Sequence, residues 1–284
     1  MSARRAVRSA HESYREAATE RSKQFSGYPR TDSLGNEVPR ATAIIPARYA
    51  SVRFPGKVLA DKTGKSLLEH VYERVRRAEL VERVIIAADD RRIIKAVEDF
   101  GGEAVMTRSD HPNGTTRIAE VASSLSAELV VNVQADEPEI EPELIDHAVR
   151  VLQDHPECVM STLAARFCPD EDPADPNIVK VALDSSSRAK SFSRSLIAPD
   201  CDGGDEPGPL KHVGLYVYRR EFLLRYPTLD PTPLEQQERL EQLRVLEHGF
   251  AIAVGVVSVR YHGIDTPQQY EEFVRRERRR QGSS

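Results

Sequence analysis

The first feature of this chain with chemical content is an apolar strand that runs straight into a cluster of cations. The run ATAIIP over residues 41–46 leads into PARYASVRFPGK over residues 46–57, which carries Arg48, Arg53 and Lys57. At the carboxyl end of a parallel strand, such a loop offers charge and backbone N–H groups to a triphosphate. Arginine forks can orient the oxygens while lysine neutralises charge on the leaving group. The spacing is neither the GxxxxGK[ST] of a Walker loop nor the GxGxxG of a dinucleotide turn. Residue types alone leave a solvated basic loop as an equal reading. Asp136 directly follows the apolar run Leu129–Gln134, and Asp265 follows another apolar run far along the chain. Magnesium needs only one or two carboxylates when phosphate oxygens and water complete its octahedron, so this pair suffices. A turn before Pro138 and a helix cap before Pro267 are the plain alternatives for the two aspartates.

The elements that must position these groups follow from periodicity. Strands are predicted over residues 41–46, 83–88, 104–107 and 129–134, with helical spacing over 66–79, 91–100 and around 116–125 between them. Right-handed crossovers then give a doubly wound α/β fold on a mostly parallel sheet. Beyond Cys158, strand-like runs at 159–165, 178–184 and 212–218 lack long intervening helices. A smaller mixed or antiparallel subdomain is expected there, inserted around 159–220. A helix over Leu234–His248, a strand over 251–259 and a last helix over 267–280 complete the reading, and Pro199–Pro209 is expected to be a surface loop. Residues 1–40 read as a mobile extension before one domain over 41–284.

The totals exclude several classes. With 39% apolar and 30% charged residues among 284, the composition is that of an ordinary globular protein. No apolar run is long enough to span a bilayer and the first residues lack a secretory core, so a cytoplasmic protein without membrane insertion is expected. The three cysteines, Cys158, Cys168 and Cys201, have no CxxC spacing and indicate neither a disulfide framework nor structural zinc. A net charge of −5 makes no electrostatic case for nucleic acid.

The loop PARYASVRFPGK resembles the signature of the sugar-acid cytidylyltransferases. Segments at 107–120 (TRSDHPNGTTRIAE), 131–138 (VNVQADEP), 211–223 (KHVGLYVYRREFL), 240–249 (LEQLRVLEHG) and 263–267 (GIDTP) fall in the order of the 3-deoxy-manno-octulosonate (KDO) cytidylyltransferases. The likeness runs from Thr42 to Phe273. It implies a Rossmann variant like that of the nucleotide-diphospho-sugar transferases. The implied reaction is attack by the C2 hydroxyl of a sugar acid on the α-phosphorus of CTP, with magnesium as cofactor and a homodimer as the assembly.

Carried onto this chain, the resemblance assigns Arg48, Arg53, Lys57 and Asp136 to catalysis. It assigns CTP to Ala47, Arg48, Ser51, Lys57, Asn113, Gly114, Thr115, Arg117 and Gln134. The sugar acid goes to Arg108, Gln134, His212, Tyr216, Glu241 and Gln242, and the metal to Asp136 and Asp265. From spacing, His212 and Tyr216 share one face of a strand, whereas Glu241 and Gln242 diverge by about 100° on a helix and can touch different hydroxyls. A surface pair with Arg244 is the ordinary alternative for Glu241. Ala135, Asn113 and Ala88 depart from the usual family residues, as does the stretch 196–209. A different ulosonic or nonulosonic acid, or a non-catalytic nucleotide-binding relative, is therefore the competing expectation.

Overall fold

The computed structural model describes residues 40–51, 54–169, 171–197, 210–258 and 263–282. Arg53, Cys201, the Pro199–Pro209 loop and the extension before Arg40 lie outside the described residues.

The strands are β1 (Ala41–Ala47), β2 (Val81–Ala88), β3 (Ala104–Met106), β4 (Leu129–Val133), β5 (Met160–Ala165), β6 (Lys180–Leu183), β7 (Ala189–Ser193), β8 (Leu210–Arg219) and β9 (Ile252–Val257). They form a nine-stranded sheet with the order β3-β2-β1-β4-β8-β5-β9, and the β6–β7 hairpin joins it through β8. Every pairing among β1 to β4 is parallel, as is β5 with β9, while β8 lies antiparallel to both β4 and β5. The strands expected around 159–220 pair within this same sheet.

Register decides which residues share a rim. Ala47 is level with Ala88, and Ala88 with Met106, so Arg48, Asp89 and Thr107 leave the sheet side by side. The ladder Ile44↔Asn132 carries Gln134 and Asp136 out on the same edge. This is the carboxyl rim, where open α/β sheets place their ligands.

Both faces of the sheet are covered, which explains why β1 and β4 are near-continuous apolar runs rather than alternating ones. Ile45 packs into one core with Val71 and Val75 of α1 (Leu67–Val75), Val97 of α2 (Arg91–Asp99) and Leu144 and Ile145 of α4 (Pro142–Asp154). Ile44 packs on the opposite face with Ile118 of α3 (Gly114–Ala122), Phe222 and Leu223 of α5 (Arg220–Arg225), and Leu243. Neither α4, α5 nor β7 was among the predicted elements. The helix predicted over Leu234–His248 is two helices, α6 (Pro233–Glu238) and α7 (Glu241–Glu247). Arg239 breaks it by adopting a left-handed conformation at φ 55°, and the break makes Glu241 the first residue of a new helix. The last helix, α8 (Pro267–Gly282), buries Ile264, Tyr270, Phe273 and Val274 against Leu67.

Candidate active site

The site begins at Gly56. Its φ of 68° is open to glycine at little cost and turns the chain into the short 3-10 helix Lys57–Leu59, which leaves Lys57 buried. The ammonium does not point to solvent. Nζ donates to Asp136 Oδ2 at 2.7 Å and to the Ile264 carbonyl at 2.7 Å, and it lies 3.7 Å from Asp265 Oδ1. The segment carrying Asp265 is further held because Ile264 is buried beneath α8 and its N–H donates to the Asp136 carbonyl at 2.9 Å. Residues from three distant parts of the chain thus meet around one cation.

The helix-cap alternative for Asp265 is resolved by its neighbours. Gln269 Oε1 accepts from the Thr266 N–H at 2.9 Å, while Thr266 Oγ1 accepts from the Gln269 N–H at 3.3 Å. This reciprocal pair is a capping box, so the cap belongs to Thr266. Asp265 is left with its carboxylate turned toward Lys57.

Arg48 is exposed directly after β1, and no ion pair holds its guanidinium among the described residues. Ser51 is half-buried in the same loop, and Ala47 is buried at the end of β1. On the far side stands the N-terminus of α3, capped by Asn113, whose Oδ1 accepts from Thr116 N at 2.9 Å. Gly114 sits against β1 and β4: a Cβ there would lie 3.5 Å from Pro46 Cγ and 3.9 Å from Gln134 Oε1. Gln134 in turn donates from Nε2 to Asn132 at 3.0 Å.

Arg117 does not present its side chain outward. It is 4% exposed, donating from Nη1 to Thr107 Oγ1 (2.7 Å) and the Arg108 carbonyl (3.2 Å) and from Nη2 to Asp89 Oδ2 (3.2 Å). Burial pushes its pKa down, partly opposed by the Asp89 carboxylate. Asp89 was missed by sequence reasoning, although it leaves an apolar strand just as Asp136 nearly does. Arg108 is exposed at the rim, 3.1 Å from Asp110.

A second cluster lies across β8. His212 and Tyr216 do share a face, with ring centroids 5.4 Å apart. Thr162 Oγ1 donates to the Leu215 carbonyl at 2.8 Å, so it accepts from His212 Nε2 at 2.9 Å, which leaves Nδ1 as the acceptor nitrogen. Burial pushes the His212 pKa down to about 3 and the Tyr216 pKa well up, so both are neutral hydrogen-bonding groups. Tyr216 donates to Gln242 Oε1 at 3.2 Å, while Gln242 Nε2 is buried without a hydrogen-bond partner among the described residues.

Glu241 diverges as its spacing predicts, but its partner is not Arg244. Arg244 is bound by Glu235 at 2.6 and 2.7 Å. Glu241 Oε2 instead accepts from Thr115 N (3.1 Å) and Thr115 Oγ1 (2.5 Å), which places a carboxylate on the positive end of α3.

Residues 42–253 match the cytidylyltransferase family. The chain is 52% identical over 236 residues to a 3-deoxy-manno-octulosonate cytidylyltransferase of Pelobacter propionicus, a match covering 80% of this chain and 92% of the relative. It belongs to that family. A second relative of the same name, from Geobacter sulfurreducens, is 49% identical over 243 residues, 82% of this chain and 97% of its own length. Among solved structures, a CMP:2-keto-3-deoxy-manno-octonic acid synthetase complexed with CTP superposes with a TM-score of 0.79 at 39% identity. That match covers 85% of this chain and 99% of the other. The cationic loop, Asp89, Asp136 and the α3 terminus all lie within the matched 42–253 span.

Proposed function

We infer that this chain joins CMP from CTP to KDO, forming a lipopolysaccharide precursor and releasing pyrophosphate. The observation that carries the reading is the meeting of Lys57, Asp136 and Asp265 at the carboxyl rim, in a chain of this family. No covalent enzyme intermediate is required. The sugar's C2 oxygen bonds to the α-phosphorus as the bond to the α,β-bridging oxygen breaks, so positioning and charge neutralisation dominate.

Arg48, and Arg53 from the same loop, bind the phosphate oxygens. Lys57 neutralises the charge that gathers on the departing pyrophosphate. Asp136, held by Lys57, faces the attacking hydroxyl and takes its proton. Backbone groups at Asn113–Thr115 meet the cytosine, with Ala47, Ser51 and Gln134 lining the nucleotide. Arg108 takes the sugar carboxylate, while the neutral His212 and Tyr216, together with Glu241 and Gln242, meet its hydroxyls. The Gln242 Nε2 donor supports this assignment, because a buried unpaired amide costs stability unless a ligand oxygen satisfies it.

Asp136 and Asp265 turn their carboxylates on a single cation, so this hard-oxygen pair fits a divalent ion, magnesium in our reading. When bound, that ion supplies phosphate neutralisation and polarises the attacking hydroxyl. A cytoplasmic homodimer belongs to the same proposal; no described helix is long and apolar enough to cross a membrane.

The test is incubation with magnesium, each of CTP, UTP, ATP and GTP, and a series of ulosonic and nonulosonic acids, scored by pyrophosphate release and by the mass of the conjugate. CMP-KDO as the preferred product is expected. Equal turnover of all four nucleotides, or preference for another acid, would overturn the assignment.

A further inference from the structure

Strand order gives Asp89 a place that no other rim residue has. Because β2 lies between β1 and β3, the residue that leaves β2 stands between the loop after β1 and the loop after β3. In our reading these loops hold the triphosphate and the nucleoside respectively. The Asp89 carboxylate contacts the first loop directly and reaches the second through Arg117 of α3. Oδ1 accepts from the Tyr49 N–H at 2.9 Å, one residue beyond Arg48, and Oδ2 accepts from Arg117 Nη2 at 3.2 Å. Through its other nitrogen Arg117 holds Thr107 and the Arg108 carbonyl, and Thr107 Oγ1 closes the set by donating to Ala88 O at 3.0 Å. The Asp89 and Arg117 side chains are only 12% and 5% exposed, so water cannot readily replace either partner.

We propose that Asp89 is a positioning residue that couples the two loops, so that affinity for the intact nucleotide depends on it more than affinity for either half. The inference rests on the CTP reading above. Its physical basis is that a ligand spanning two subsites gains from their fixed separation, and that gain is lost when the subsites move independently. A carboxylate can serve one loop with each oxygen. Asparagine cannot, because whichever loop its single oxygen serves, its amide N–H₂ faces a donor on the other.

The experiment is calorimetric titration of the full chain and its Asp89→Asn variant with CTP, cytidine and pyrophosphate. We expect Asp89→Asn to weaken CTP by at least about tenfold while cytidine and pyrophosphate each change by less than about threefold. If pyrophosphate or cytidine loses as much as CTP, Asp89 merely supports one loop and the coupling is wrong; unchanged CTP affinity also overturns it. Thr107→Val guards against an unfolded Asp89→Asn. It is nearly isosteric, removes one acceptor from Arg117 and should give the same pattern at about threefold on CTP. A Thr107→Val protein with equal losses on CTP and on one fragment would again defeat the coupling. Failure of wild type to bind CTP at all would count against the functional reading instead, so the two failures are distinguishable.

Discussion

Lys57 Nζ and Asp136 Oδ2 lie 2.7 Å apart although 79 residues separate them, and the same ammonium lies 3.7 Å from Asp265. One lysine therefore compensates two carboxylates that in our reading also hold the metal. Asp136→Asn is nearly isosteric and removes one charge. Turnover should fall at least about 100-fold, the loss of a transition-state contact of about 3 kcal/mol, with a nearly unchanged thermal melt. Near-normal, magnesium-saturable activity in the folded variant would defeat the role given to Asp136.

The cap of α8 separates structure from chemistry. Because Thr266 and Gln269 form the capping box, Asp265→Asn should cost turnover and leave stability almost unchanged. Thr266→Ala should do the reverse, lowering stability by about 1 kcal/mol in denaturant titrations with kcat retained. Unchanged turnover in Asp265→Asn would return the cap role to Asp265, because asparagine caps a helix about as well as aspartate.

Lys57 and a divalent ion compete for the same oxygens when no nucleotide is present. Lys57→Gln should bind Mn²⁺ at least about threefold more tightly than wild type in the absence of CTP, read by electron paramagnetic resonance, while losing turnover. Weaker Mn²⁺ binding in Lys57→Gln would show that the two aspartates are not the metal pair.

In our reading Glu241, bonded to Thr115, links the sugar half of the site to the nucleotide half. Glu241→Ala leaves two donors without this acceptor and should destabilise the fold by about 1–3 kcal/mol while raising the KM for CTP. Glu241→Gln keeps one acceptor oxygen and should recover much of the stability. A Glu241→Ala protein with wild-type stability and CTP affinity would confine the residue to the sugar.

His212 gives a pH signature. Its pKa falls from 6.5 to about 3 in the folded chain because burial disfavours the imidazolium. The unfolded state therefore binds the extra proton first. Stability from this group is complete above pH 6.5 and is lost as pH falls from there toward 3, at no more than about 1.4 kcal/mol per pH unit. The difference in unfolding free energy between wild type and His212→Gln should follow that window; a pH-independent difference would place His212 in contact with solvent.

The chemistry of this protein was largely legible in its sequence, because ligands of a parallel sheet gather where apolar strands end. Lys57 and Asp136 could be found from the runs ATAIIP and LVVNVQ and from a family pattern that spans both. Local spacing also placed His212 beside Tyr216 and sent Glu241 and Gln242 in different directions. Partners were another matter. A carboxylate's sequence neighbourhood offered Asp265 a helix cap and Glu241 an arginine at i+3, whereas the folded chain gives that cap to Thr266, that arginine to Glu235, and Glu241 to Thr115, 126 residues away. The split at Arg239 was equally invisible, since continuous leucine spacing does not reveal a single left-handed residue. Asp89 shows the limit most clearly. Any strand can be followed by an aspartate, but only the order β3-β2-β1 sets this one between the loops after β1 and β3, and strand order is decided by packing across the whole sheet.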